Sequence, residues 1–182
     1  MDVRPEQIDA AGVDPDDIAC ATVREPRWLD AEQQRAWRAY MLGTTLLRDR
    51  LDRDLQKVFD MSLVEYEVMV RLSENDGHLR MAQLADSLAH SRSRLTHTVK
   101  RMEADGLVSR CSFDEDRRGV VARLTEKGWD KLREAAPVHV EGVRRYLVDL
   151  AEPADLEAVQ RVFGAVSDHL IADHPELEIR DQ

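Results

Sequence analysis

The chain has 182 residues, 43% apolar and 34% charged, with 26 Lys and Arg against 36 Asp and Glu for a formal net charge of −10. Few glycines and 5% aromatics argue against an all-β sandwich or barrel, no run nears the roughly 18 apolar residues of a membrane span, and the acidic start MDVRPEQIDAAGVDPDDIAC lacks the apolar core of a secretory signal. Its two cysteines, Cys20 and Cys111, are far apart and imply no disulfide framework, so the expectation is a soluble cytoplasmic protein of one domain with helical additions.

Residues 1–29, with Pro5, Pro15, Pro26 and the run Asp14-Pro15-Asp16-Asp17, read as an extended acidic arm. From Asp30 to Phe59 the residues Trp37, Tyr40, Met41, Thr44, Leu47, Leu51, Leu55 and Val58 recur at three- and four-residue steps. This predicts a long amphipathic helix whose stripe must be covered by the rest of the chain or by a second subunit. SLVEYEVMVRL (62–72) predicts a second helix, opened by a Ser62/Glu65 capping box and buried through Tyr66, Met69 and Val70. Gly77 stops it, and His78-Leu79-Arg80 reads as a very short strand. MAQLADSL (81–88) is a short helix facing inward through Leu84, Ala85 and Leu88; Ala89-His90 is a tight connection, and Ser91 is a good N-cap for a further helix.

That further helix, to Ala104, begins with the most cationic stretch of the chain, HSRSRLTHTVKR (90–101), which contains no acidic residue. At 100° per residue, Leu95, Val99 and Met102 form a narrow core stripe. Ser93, His97 and Lys100 fall on the opposite side, flanked by Arg94, Thr96 and Arg101. From His78 to Arg123 nine Lys/Arg face six Asp/Glu, a net of +3, so the remainder carries −13. Gly106 ends the helix, after which the period changes from 3.6 to 2. LVSRCSF (107–113) and VVARLT (120–125) predict a hairpin around the charged loop DEDRRG (114–119). Cys111, in phase with Leu107 and Phe113, reads as a small packing residue. Thr125 caps a helix over roughly 126–150, bent near Pro137, and Pro153 opens a last helix to residue 172. Their apolar residues include Leu132, Val140, Val143, Leu147, Leu156, Val159, Phe163, Val166 and Leu170.

Helix, short strand, helix, tight turn, exposed basic helix and hairpin with a basic tip is the order of a winged helix-turn-helix. The predicted class is therefore mainly α with a small β-hairpin wing (α+β), flanked by N- and C-terminal helices. A helix with short polar side chains and cations outward suits the major groove, and Arg117 and Arg118 at a projecting tip suit a narrow, electronegative minor groove. Other chemistries find no footing: the chain has no phosphate-loop, dinucleotide, zinc-protease or nucleophile-elbow motif. Glu65 and Glu67 lie about 200° apart on a helix and cannot work as an acid/base pair. Asp114, Glu115 and Asp116 lack the oxygen spacing of a calcium loop, so neither metal nor cofactor is expected.

Residues 62–128 resemble the core of the MarR (multiple antibiotic resistance regulator) family of bacterial transcription factors. The likeness is carried by Leu63-x-x-Tyr66, MAQLADSLAHSRSRLTHTVKRMEADGLVSR, the D-x-R-x-G wing met by Asp116, Arg118 and Gly119, and LTEKG. With the flanking helices it extends over about 30–172. It implies a homodimer on a roughly palindromic double-stranded DNA operator, acting as a repressor, with 30–60 and 126–172 as dimerisation region, 61–125 as DNA-binding domain and 173–182 as a tail. Carried over, Ser91, Arg92, Ser93, Arg94, Thr96, His97, Lys100 and Arg101 are groove and phosphate contacts. Arg110 is a backbone or structural contact at the wing base, Arg118 the minor-groove residue beside Arg117, and Asp116 its orienting partner. The family's effector pocket would draw on Trp37, Tyr40, Met41, Tyr66 and Met69 for a small molecule. The alternatives are a winged-helix protein-interaction module, or a redox-responsive regulator using a cysteine.

Overall fold

A computed structural model of the chain describes residues 26–112 and 119–172. The expected arm (apart from 26–29), Cys20, most of the wing tip with Asp116, Arg117 and Arg118, and the expected tail lie outside the described residues. The chain divides into two compact units, Met1–Ala39 and Tyr40–Gln182. In the first, Asp30 opens helix α1 (Ala31–Phe59): its Oδ1 accepts the amides of Glu32 and Gln33 at 2.9 and 2.8 Å, and Gln33 Oε1 accepts the Asp30 amide in return.

In the second unit the order is α2 (Leu63–Ser73), β1 (His78–Arg80), α3 (Met81–Ser87), α4 (Arg92–Ala104), β2 (Val108–Ser112), β3 (Val120–Leu124), α5 (Glu126–Tyr146), a 3₁₀ turn (Val148–Leu150) and α6 (Pro153–Ala172). The capping box forms as expected: Ser62 Oγ accepts the Glu65 amide and the Glu65 carboxylate accepts the Ser62 amide. The strands make one antiparallel sheet of order β1-β3-β2, with Val108 opposite Leu124 and Leu79 opposite Ala122. The mainly α fold with a hairpin wing is thus the one the sequence predicts.

The core runs through Leu55, Met61, Leu63, Val68, Met69, Leu72, Leu84, Leu95, Val99, Met102, Val108, Ala122 and Leu132. Two expectations change. Cys111 is exposed, not packed: Leu107 precedes the strand and does not set its phase, and the face that turns inward is that of Val108, Ala122 and Leu124. And α5 ends at Tyr146, four residues short of the expected end, its buried side formed by Leu132, Ala135 and Gly142 and Pro137 lying within it.

The junction of the wing and α5 is tight. Thr125 donates its hydroxyl to the Gly106 carbonyl at 2.7 Å and accepts the Gly128 amide on Oγ at 3.0 Å, and its own amide donates to the Leu107 carbonyl at 3.1 Å. A Cβ on Gly128 would lie 2.1 Å from that same carbonyl oxygen, so the glycine of LTEKG is required by close backbone approach. Gly128→Ala is expected to destabilise the fold by about 1–3 kcal/mol through overpacking, read as a lowered midpoint in thermal or urea unfolding; an unchanged midpoint contradicts the tight junction.

Candidate nucleic-acid interface

The orientation of α4 is set by its residues. Ser91 caps it, accepting the Arg94 amide at 3.3 Å. Leu95, Val99 and Met102 have no exposure, and Thr98 is buried with them. This rotation leaves Ser91, Arg92, Ser93, Arg94, Thr96, His97, Lys100 and Arg101 exposed. Thr96 donates its hydroxyl to the Arg92 carbonyl at 2.7 Å, so outward it offers only acceptor lone pairs and a methyl group. The helix therefore carries an outward face of cations and polar side chains with no carboxylate from Arg92 to Arg101.

Two of the sequence-predicted residues are engaged from behind. Arg101 Nε donates to Glu65 Oε1 on α2 at 2.8 Å, and the two side chains are 60% and 8% exposed. Arg110 on β2 donates its backbone amide to Glu103 Oε1 at 3.1 Å, and its Nε and Nη2 to Glu103 Oε2 at 2.9 and 2.6 Å. That fork holds the Glu103 carboxyl below the usual carboxylate range and fastens the wing base to the end of α4. Neither carboxylate stands out as a partner in the sequence. The two pairs span 36 and 7 positions and each joins two different elements, so no period within one helix or strand marks them.

Behind the start of α4 lies a cleft of about 730 Å³ bounded by α1, α2, α5 and the α3–α4 turn, lined by Arg48, Tyr66, Glu67, Val70, Arg71, Glu74, Ser87, Leu88, Ala89, His90, Arg94 and His139. Arg48 pairs with both oxygens of Glu67, at 3.0 and 3.2 Å. His139 lies tilted against Tyr66 with ring centroids 4.4 Å apart. His90 and His139 each hold a buried Nδ1 with no hydrogen-bond partner among the described residues. Burial holds both imidazoles below their ordinary value; at His90 nearby Arg94 and Arg48 add to the effect, and Glu67 opposes it at both. Of the aromatic stripe predicted as an effector pocket, Tyr66 lines this cleft, Met69 is sealed in the core, Met41 is exposed, and Tyr40 stacks on Phe163 at 4.9 Å. Trp37, in the first unit, is 53% exposed. Among the described residues no group of three or more His, Cys, Asp or Glu is placed to hold a metal ion, and no helix is long and apolar enough to cross a membrane.

A basic helix on a buried stripe, beside a hairpin fastened to its end, defines a winged helix-turn-helix protein. Residues 59–119 match the model of the MarR family. Among solved structures, the chain is similar to Sco3205, a MarR family transcriptional regulator from Streptomyces coelicolor in complex with DNA, at 41% identity over 80% of this chain and 92% of that one, with a TM-score of 0.77. It is also similar to AbsC, a MarR family transcriptional regulator of the same organism, at 40% identity over 81% of this chain and 99% of that one, TM-score 0.76. The HTH-type transcriptional regulator YfiV of Bacillus subtilis is 33% identical over 105 residues, a match that spans 58% of this chain and 64% of that relative's length. The chain belongs to the MarR family of transcriptional regulators.

The two cleft histidines bear on stability with a definite sign. Their folded pKa values lie below the unfolded value of about 6.5, so the folded state binds fewer protons and loses stability as pH falls through 6.5 towards the folded values. Melting curves between pH 7.5 and 5 are expected to show this loss, and His139→Gln to make it shallower. An identical pH slope in the variant removes His139 from the account.

Proposed function

We propose that the protein binds a pseudo-palindromic duplex operator as a homodimer and represses transcription by occupying it. The observation that carries this is the exposed face of α4. Ser93, His97 and Lys100 point away from a stripe with zero exposure, with Arg92, Arg94 and Thr96 at their sides and no carboxylate among them. In this reading Ser93, His97 and Lys100 meet base edges and phosphates in the major groove, while Ser91, Arg92, Arg94, Thr96 and Arg101 contact the walls of the groove. Arg110 holds the wing base, and Arg118, oriented by Asp116 and accompanied by Arg117, enters the minor groove.

The dimer is supported by apolar surface that this chain leaves uncovered. On α6, Val159, Val162, Val166 and Leu170 are 43–56% exposed, and on α1 Leu42 and Leu46 are 63% and 57% exposed. Contiguous apolar faces of this kind mark protein–protein surfaces. A two-fold dimer would place the two α4 helices in half-sites about 34 Å apart, one helical turn of DNA. The domains divide accordingly: 61–125 binds DNA, and 30–60 with 126–172 dimerises. The cleft behind α4 is the better candidate for an effector site than the predicted aromatic stripe, because its wall includes His90, adjacent to the Ser91 cap, and Arg94 on α4 itself.

Selection of bound fragments from genomic or random DNA is expected to return an inverted repeat, bound with a steep salt dependence from counterion release. Equal, weak affinity for every fragment would turn the reading towards a winged-helix module docking on a protein. Within that assay Arg118→Ala is expected to weaken operator binding by about 1–3 kcal/mol with the dimer intact; unchanged affinity removes the wing. For the dimer, Val162→Asp with Val166→Asp should halve the sedimenting mass of a folded protein, and a wild-type mass contradicts the α6 assignment.

A further inference from the structure

Glu65 does more than cap α2. Its Oε2 accepts both the amide and the hydroxyl of Ser62, at 2.8 and 2.7 Å, and its Oε1 accepts Arg101 Nε at 2.8 Å. Burial pushes this carboxyl up, but Arg101 and Ser62 outweigh it and hold the group below the usual carboxylate range, so it is a buried anion at neutral pH. A capping box alone needs no such charge, since glutamine fills the same role. The charge is matched instead to an arginine whose side chain is 60% exposed.

The geometry of that arginine is one-sided. Only its Nε edge is turned to Glu65, and its two terminal amino groups make no hydrogen bond among the described residues. At 100° per residue Arg101 lies about 20° from Arg94 and about 40° from His97, on the edge of the same exposed face. A guanidinium tied through Nε keeps its Nη pair as a planar fork, the shape that two phosphate oxygens accept.

We propose that Glu65 is a positioning residue for DNA binding: from behind α4 it holds Arg101 so that the outer fork meets a backbone phosphate flanking the major groove. This rests on the DNA-binding reading above and adds to it a residue on α2 that touches no DNA. The tether removes rotamer freedom before DNA arrives, which an arginine otherwise loses on binding at a cost of up to about tenfold in affinity. It also makes the recognition surface depend on the α1–α2 junction, because Ser62 and the Asp52 carboxylate, which accepts the Leu63 amide at 2.8 Å, share that corner.

The test uses the full chain and the operator recovered by selection, with Kd measured across a range of monovalent salt. Melting and sedimentation report fold and dimer. Glu65→Gln with Arg101→Gln keeps the net charge and leaves a neutral hydrogen-bonded pair. It is expected to fold, to lose about 0.9 in the slope of log Kobs against log salt for each protomer, and to bind roughly 10- to 100-fold more weakly. Glu65→Gln alone leaves Arg101 charged but loose; it should keep the slope and bind several-fold more weakly. Arg101→Lys, which keeps the buried anion paired should the double variant fail to fold, should also bind several-fold more weakly, because a single ammonium cannot serve carboxylate and phosphate together. Wild-type slope and affinity in the double variant, or undiminished affinity in Arg101→Lys, would reduce the pair to a staple between α2 and α4 and overturn the proposal. Undiminished affinity in Glu65→Gln overturns it too, leaving Arg101 a contact that needs no tether. Failure of the DNA-binding reading is distinguishable, because the unsubstituted protein would then prefer no duplex.

Discussion

The rotation of α4 about its own axis is fixed by three side chains with no exposure, Leu95, Val99 and Met102. Turning the helix to bury its cations would bring these three into water, at a cost of roughly 5–9 kcal/mol at 1.5–3 kcal/mol each, before any charge is desolvated. The short helix α3 and the sheet serve this same packing, since Leu84, Ala85, Val108 and Ala122 are the surfaces against which the stripe is sealed. The exposed basic face is thus the remainder left when a small core is closed.

The electrostatics obey the same division of inside and outside. A chain of net charge −10 keeps the first three turns of α4 clear of its own carboxylates, and where it does supply partners it supplies them from behind. Glu65 reaches Arg101 from the buried side of α2, and Glu103 reaches Arg110 from the last turn of α4. Cations paired in this way lose part of their mobility while keeping exposed edges. Arg92, Arg94 and Lys100 have no counter-charge within ion-pair distance among the described residues, which leaves their charge to the exposed face of α4.

The cleft behind α4 joins this surface to the long helices. Arg48 of α1, Glu67 of α2 and His139 of α5 meet His90 and Arg94 there, and the turn between α3 and α4 passes through a left-handed residue, Ala89 at φ 50°, just before the Ser91 cap. A non-glycine residue in that conformation is held by its surroundings, here by the amides of Ala89 and His90 bonding back to Asp86 and Ala85.

Local physics is legible in the sequence wherever one segment contains the whole cause. The 3.6 period places Leu95, Val99 and Met102 on one side, the change to period 2 locates the wing, and Ser62, Ser91 and Thr125 mark helix starts that the structure caps as expected. Contacts between segments are not legible. Arg101 and Arg110 look like free cations until folding brings Glu65 and Glu103 to them. Cys111 reads as in phase with the core only if Leu107, which lies before the strand, is counted as part of it. The aromatic stripe looks like a pocket, but packing seals Met69 and leaves Tyr66 facing a cleft built with His90 and His139. Which residues could share a helix face follows from the order of the amino acids alone, because periodicity is a property of one segment's backbone. Which of them are already engaged follows from packing, because a partner 36 positions away leaves no period behind.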